Sequence, residues 1–121
     1  AARELLEKDG VDILQPDIGL AGGLTETKKI ASYADTYNLV VAPHNCAGPV
    51  ATGAAVQLDA CMTNFIIQEW FPYFSEEHYG LVTKALEPQA EDGQFIIPDT
   101  PGLGVELNED AMKERDCLVV E

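Results

Sequence analysis

Positive charge is scarce in this 121-residue chain: seven Lys and Arg face 21 Asp and Glu, for a net charge of −14. So acidic a surface offers no cationic field for a phosphate backbone or an anionic leaflet, which removes nucleic acid and membrane surfaces from the expected partners. Cysteine is also sparse. Cys46, Cys61 and Cys117 are odd in number, far apart and without a CxxC pair, which speaks against a disulfide framework or a cysteine-rich zinc module and suits a reducing, cytoplasmic setting. No apolar run approaches the ~20 residues a membrane-spanning helix needs. The opening Ala1 to Lys8 is amphipathic rather than a basic segment followed by an apolar one, so secretion is not signalled. What is present is 46% apolar residues, enough for one modest core. With no initiator Met and a start that reads as mid-helix, the chain is expected to be a C-terminal portion of something longer.

Along the chain, apolar runs of strand length alternate with helical periodicity. The first stub holds Leu5 and Leu6 on one side and is stopped by Gly10. Val11 to Pro16 reads as a strand, followed by a glycine-rich turn at Gly19, Gly22 and Gly23. In Leu24 to Tyr37, residues Ile30, Ala31, Ala34 and Tyr37 line one face of a helix that Asn38 ends. Leu39 to Pro43 is a second strand, and Val50 to Met62 a second full helix with Pro49 near its first turn. Asn64 to Gln68 reads as a third strand. Unbroken apolar strands alternating with amphipathic helices predict α/β architecture with a parallel sheet. From residue 70 onward, Trp70, Phe71, Tyr73, Phe74 and Tyr79 mix with acids, Asp92-Gly93 turns the chain, and Pro98, Pro101, Gly102 and Gly104 interrupt it. This tail reads as strand and loop wrapping a neighbour.

Asp17, His44 and Glu69 each stand just after one of the three strands. In parallel α/β architectures the chain leaves every strand at the carboxyl edge of the sheet, where loops and helix N-termini converge on ligands. Adjacent strands lie ~4.8 Å apart, so Asp17 can reach His44, with Glu69 flanking the same pocket. A carboxylate beside an imidazole raises its pKa and fixes its ring, giving a general acid or base near neutral pH. Crowding of Glu69 with Asp17 is expected to raise at least one carboxyl pKa. The blander readings are a capping role for Asp17, a backbone-bonded loop position for His44 and a solvated acid at Glu69.

The strings from Gln15 to Glu26, Ala42-Pro43-His44-Asn45 with Gly48-Pro49, and Asn64-Phe65 with Gln68-Glu69 resemble the end of the barrel in the enolase superfamily. More narrowly they resemble the mandelate racemase and muconate lactonizing enzyme group, and within it sugar-acid dehydratases of the galactonate dehydratase type. The resemblance implies strands six to eight of a (β/α)8 barrel in residues 1–78, with residues 79–121 contributing to a capping domain. It implies that Asp17 orients His44, that His44 protonates a departing β-hydroxyl, and that Glu69 positions a substrate carboxylate or enediolate oxygen. It further implies that a base on another strand removes the proton α to a carboxylate. Mg2+ is implied as cofactor, with its ligands on strands outside this chain, and a full-length enzyme of this kind is expected to be a homo-oligomer acting on a small sugar acid. The segment Cys46-Ala47 departs from the usual filling of its loop, which leaves loop shape and substrate subclass open.

Other readings stay on the table. A racemase or epimerase could use the same His44 and Asp17, and an inactive domain fragment is the non-enzyme alternative. The glycines from Gly19 to Gly23 lack both GxGxxG and GK[ST] spacing, so a tight turn accounts for them better than a phosphate loop. His44 and Cys46 invite a thiol-nucleophile reading, and His, Cys, Asp and Glu together invite zinc, although these residues come from separate elements without ligand spacing. His78 reads as a surface residue, and the aromatics around Trp70 as packing for a cap.

Overall fold

The computed structural model describes residues 2–71 and 76–116. Tyr73, Phe74 and Cys117 lie outside them. Helix α1, Ala2–Glu7, is followed by strand β1, Ile13–Leu14, the single-turn helix α2, Ile18–Ala21, and helix α3, Leu24–Asp35. Strand β2, Val40–Val41, precedes helix α4, Pro49–Asp59. After these come α5, Glu76–Tyr79, strand β3, Val82–Lys84, a 3-10 turn at Glu87–Gln89, strand β4, Glu106–Leu107, and α6, Glu109–Lys113.

Local chemistry explains most of these boundaries. Helix α1 ends because Asp9 turns left-handed (φ 52°) and the Gly10 amide closes on the Leu5 carbonyl at 2.9 Å, so the residue in the left-handed conformation is Asp9 rather than the expected Gly10. Asn38 (φ 57°) ends the region of α3 as anticipated, with the Leu39 amide on the Ala34 carbonyl at 3.1 Å. The buried face of α3 is Thr27, Ala31 and Ala34, whereas Tyr37 is exposed and stacks edge-on against Tyr33. Thr27 can be buried because its hydroxyl donates to the Gly23 carbonyl at 2.9 Å. Gly48 and Pro49 open α4 as the sequence suggests, and nearly every residue from Thr52 to Leu58 is buried.

Strands β1 and β2 pair in parallel, Ile13 with Val40 and Leu14 with Val41. The expected third strand is reduced to a single parallel bridge, Val41 with Phe65, although the Val41 amide bonds the Asn64 carbonyl at 2.9 Å and the Ile66 amide bonds the Val41 carbonyl at 3.1 Å. Asn64 holds this segment in place with its side-chain amide, which donates to the carbonyls of Ala31 at 3.0 Å and Leu39 at 2.8 Å. Leu6, Leu14, Ala31, Ala34, Val41, Leu58 and Met62 form the core beneath the sheet, and the small alanines let α3 lie close to it.

The tail is more ordered than its sequence suggests. Strand β3 pairs antiparallel with β4, and Asn108 caps α6 by accepting from the Ala111 amide at 3.2 Å. Asp92 and Gly93, both left-handed at φ 49° and 74°, make the two-residue connection of a minimal hairpin between Glu91 and Gln94. This tail packs back on the α/β unit: a Cβ placed on Gly53 of α4 would stand 3.0 Å from Val105 Cγ1 and 3.1 Å from the Leu103 carbonyl. The ring of Trp70 meets Phe95 edge-on at 5.5 Å.

Candidate active site

The register of the parallel pair fixes the first two site residues. Asp17 and His44 continue the alignment begun by Ile13 and Val40, and themselves form a parallel bridge. Residues paired across a ladder point to one face, so the two side chains meet. His44 Nδ1 lies 2.8 Å from Asp17 Oδ2. The other carboxylate oxygen of Asp17, Oδ1, accepts the Leu20 amide at 3.0 Å and caps α2. Asp17 therefore caps α2 with one oxygen and meets His44 with the other. This explains why the expected glycine-rich turn contains a helical turn: the carboxylate that aims the imidazole also satisfies the amides of α2.

Glu69 arrives through the third segment. Its amide donates to the Pro43 carbonyl at 3.3 Å, and the Gln68 side-chain amide donates to the same carbonyl at 3.1 Å. Glu69 Oε2 then lies 3.7 Å from His44 Nε2 and accepts the Asn45 amide at 3.2 Å. All three expected residues thus stand together at the carboxyl ends of the parallel segments, with His44 and Glu69 side chains 43% and 46% exposed to an open mouth.

The electrostatics follow from this geometry. The hydrogen bond to Asp17 holds the His44 imidazolium above its ordinary value; burial opposes it, and the charges of Glu69 and Asp17 add to it. Asp17 moves the other way. The hydrogen bond from His44 holds its carboxyl below the ordinary value against partial burial, with help from the Leu20 and Gly19 amides. The Asp17 carboxyl is therefore not raised, because the hydrogen bond with His44 outweighs its burial.

A linkage prediction comes from these directions. Asp17, depressed in the fold, contributes stability present above about pH 4 and lost as pH falls through its folded value. His44, raised, contributes stability present in full below about pH 6.5 and lost as pH rises through its own folded value. NMR titration of the His44 ring is expected to give a midpoint above ~6.5 that drops in Asp17→Asn, and an unchanged midpoint would separate the pair.

Asn45 is a residue whose positioning work the sequence did not reveal. It is 4% exposed; its Nδ2 donates to Thr52 Oγ1 at 2.9 Å, and its Oδ1 accepts the Ala47 amide at 3.3 Å, which ties the loop after His44 to helix α4. Thr52 is 1% exposed. Thr52→Val leaves the buried Asn45 amide without that partner and is expected to lower unfolding stability by about 1–3 kcal/mol, whereas Thr52→Ser retains it. Denaturant unfolding of the two variants checks this.

The described residues also enclose a cavity of about 530 Å3 lined among others by Asp59, Phe65, Trp70 and Phe95, but none of Asp17, His44 or Glu69 borders it. Burial alone pushes the Asp59 carboxyl up to about 7. Among the described residues, the metal-ligating side chains that converge are His44, Cys46 and Glu69. Mg2+ demands oxygen ligands in near-octahedral array, and an imidazole, a thiol and one carboxylate do not supply them. The residues present do not fit Mg2+. Among the described residues no helix is long and apolar enough to cross a membrane.

Comparison with known proteins agrees with this architecture. A family described as enolase C-terminal domain-like matches residues 1–111. D-xylonate dehydratase from Haloferax volcanii is 39% identical over 111 residues, covering 92% of this chain and 26% of that protein. D-galactonate dehydratase from Verminephrobacter eiseniae is 39% identical over 121 residues, covering 95% and 32%. The crystal structure of an enolase of the mandelate racemase subgroup from Agrobacterium tumefaciens superposes with a TM-score of 0.81 at 40% identity, covering 92% of this chain and 30% of that one. The chain thus spans about a quarter to a third of the length of the relatives it matches. With a family match over almost its whole length and a mixed α/β fold of the TIM-barrel type, the chain belongs to the enolase C-terminal domain-like family and shares the mandelate racemase and muconate lactonizing enzyme lineage of its structural relatives.

Proposed function

We propose that this chain supplies the acid side of a sugar-acid dehydratase, and that His44 delivers the proton on which the β-hydroxyl leaves. The observation that carries the reading is the 2.8 Å bond between His44 Nδ1 and Asp17 Oδ2, which leaves Nε2 turned to the open mouth beside Glu69. With Nδ1–H donated to Asp17, the imidazolium offers Nε2–H to a ligand oxygen. A base outside this chain takes the proton α to the carboxylate. The electron pair left behind then expels the β-oxygen as its C–O bond breaks, His44 protonates that oxygen, and water departs. The resulting enol becomes a 2-keto-3-deoxy acid. Glu69, held by the Asn45 amide, positions the substrate at the same mouth.

In this reading residues 1–78 are the last three βα units of a barrel and 79–121 belong with a capping domain. Exposed apolar side chains on both sides of the short parallel sheet, Ile13 at 46%, Ile66 at 48% and Ile67 at 64%, support a sheet continued by strands outside the chain. Mg2+ and the α-proton base fall to those strands, and no step here runs through the metal. A small sugar acid in the cytoplasm and a homo-oligomeric whole enzyme complete the proposal. The names of the relatives, xylonate and galactonate dehydratase, favour an aldonic acid.

The test is an assay of the complete gene product against aldonic and aldaric acids, following 2-keto product. Dehydration of one or a few of them is expected. Inversion of a 2-hydroxy acid without any keto product would favour the racemase reading instead.

A further inference from the structure

Cys46 has no place in that chemistry, yet it is brought to the same mouth. A ring nitrogen of His44, Sγ of Cys46 and a carboxylate oxygen of Glu69 all lie within 4.8 Å of one another. From these ligands we infer a cation site: the mouth binds one thiophilic divalent cation of the Zn2+ class through His44 Nε2, Cys46 Sγ and the Glu69 carboxylate, with water in the fourth position.

The geometry is close to what such a site requires. Bonds of ~2.0–2.3 Å to tetrahedral zinc set ligand-to-ligand separations of about 3.3–3.6 Å. His44 Nε2 and Glu69 Oε2 are already 3.7 Å apart. Cys46 is exposed and Glu69 is half-exposed, so rotation of either side chain closes the remaining gap without disturbing the core. The imidazole is preorganised as well. Nδ1 is committed to Asp17 at 2.8 Å, which presents Nε2 as the free ligand nitrogen in the carboxylate, histidine and metal arrangement that fixes ring orientation in zinc sites. The mixed N, S and O donors that fail to suit Mg2+ suit a softer ion.

A cation on Nε2 occupies the position from which His44 would deliver its proton, so Zn2+ inhibits the enzyme. That consequence rests on the proposed dehydratase reading; the binding itself does not. The experiment uses the complete gene product with Cys61 and Cys117 replaced by serine, in excess Mg2+, titrated with Co2+ and Cd2+ as spectroscopic substitutes and with Zn2+ against a chromophoric chelator. A thiolate-to-metal charge-transfer band that saturates at one equivalent is expected. It disappears in Cys46→Ser, where the apparent Zn2+ affinity falls at least about tenfold. In Zn2+-free buffer with Mg2+ in excess, Cys46→Ser keeps its dehydratase rate, and it resists added Zn2+. No band, a band that survives Cys46→Ser, or equal Zn2+ affinities would overturn the site. Loss of the band in Cys46→Ser, combined with no dehydration of any acid by either protein, would overturn the dehydratase reading and leave the cation site standing.

Discussion

His44→Asn is expected to lower the dehydration rate of the complete enzyme by about 10²–10⁴-fold, the usual contribution of a positioned general acid, while KM changes only a few-fold. Asparagine keeps a polar group near Asp17 but has no transferable proton, so binding survives and departure of the hydroxyl does not. The pH profile gives an independent readout. On the dehydratase reading, the parent rate is expected to fall as pH rises through the raised His44 value, and that limb should be missing from the variant. Deuterium exchange at the α carbon separates the two enzyme readings. If the α-proton base lies outside this chain, the variant still exchanges that proton with solvent while it fails to eliminate water. In a racemase, His44 would itself handle the α proton, and exchange from one enantiomer would vanish. Full-rate dehydration by His44→Asn would remove the residue from the mechanism.

The second large effect is on stability. Gly104→Ala is expected to destabilise the fold by about 2–5 kcal/mol, combining a left-handed backbone at roughly 1–2 kcal/mol with overpacking at about 1–3 kcal/mol. Gly104 is buried at φ 79°, and a Cβ there would stand 2.1 Å from Pro98 Cγ and 2.9 Å from Pro98 Cβ. A proline ring cannot rotate away, so the tail must shift. Gly102 is a natural control: it has the same φ of 79° but open space where its Cβ would be. Gly102→Ala should show the backbone contribution alone, about 1–2 kcal/mol. Thermal and denaturant unfolding of the pair isolates the contact with Pro98, and equal losses in the two variants would dismiss it. Because Leu103 and Val105 pack over Gly53 of α4, a displaced tail should also expose that helix to hydrogen exchange.

The alternation of strand and helix, the points where Asn38, Gly48 and Pro49 bound their helices, and the placing of Asp17, His44 and Glu69 after successive apolar runs can all be read along the chain. These are local properties, written in periodicity and turn chemistry. The meeting of Asp17 and His44 was legible for the same reason: one parallel register carries from Val40 to His44, so adjacent strand ends imply adjacent side chains. Other features depended on distances between segments far apart in the chain. Three-dimensional packing alone sets one Asp17 oxygen on α2 and the other on His44, leaves the third segment a single bridge, and ties Asn45 to Thr52. It also decided that Cys46 joins His44 and Glu69. Hydrogen bonds and ligand clusters of this kind are settled within about 1 Å by packing and side-chain rotamers, a precision that spacing along a chain does not contain.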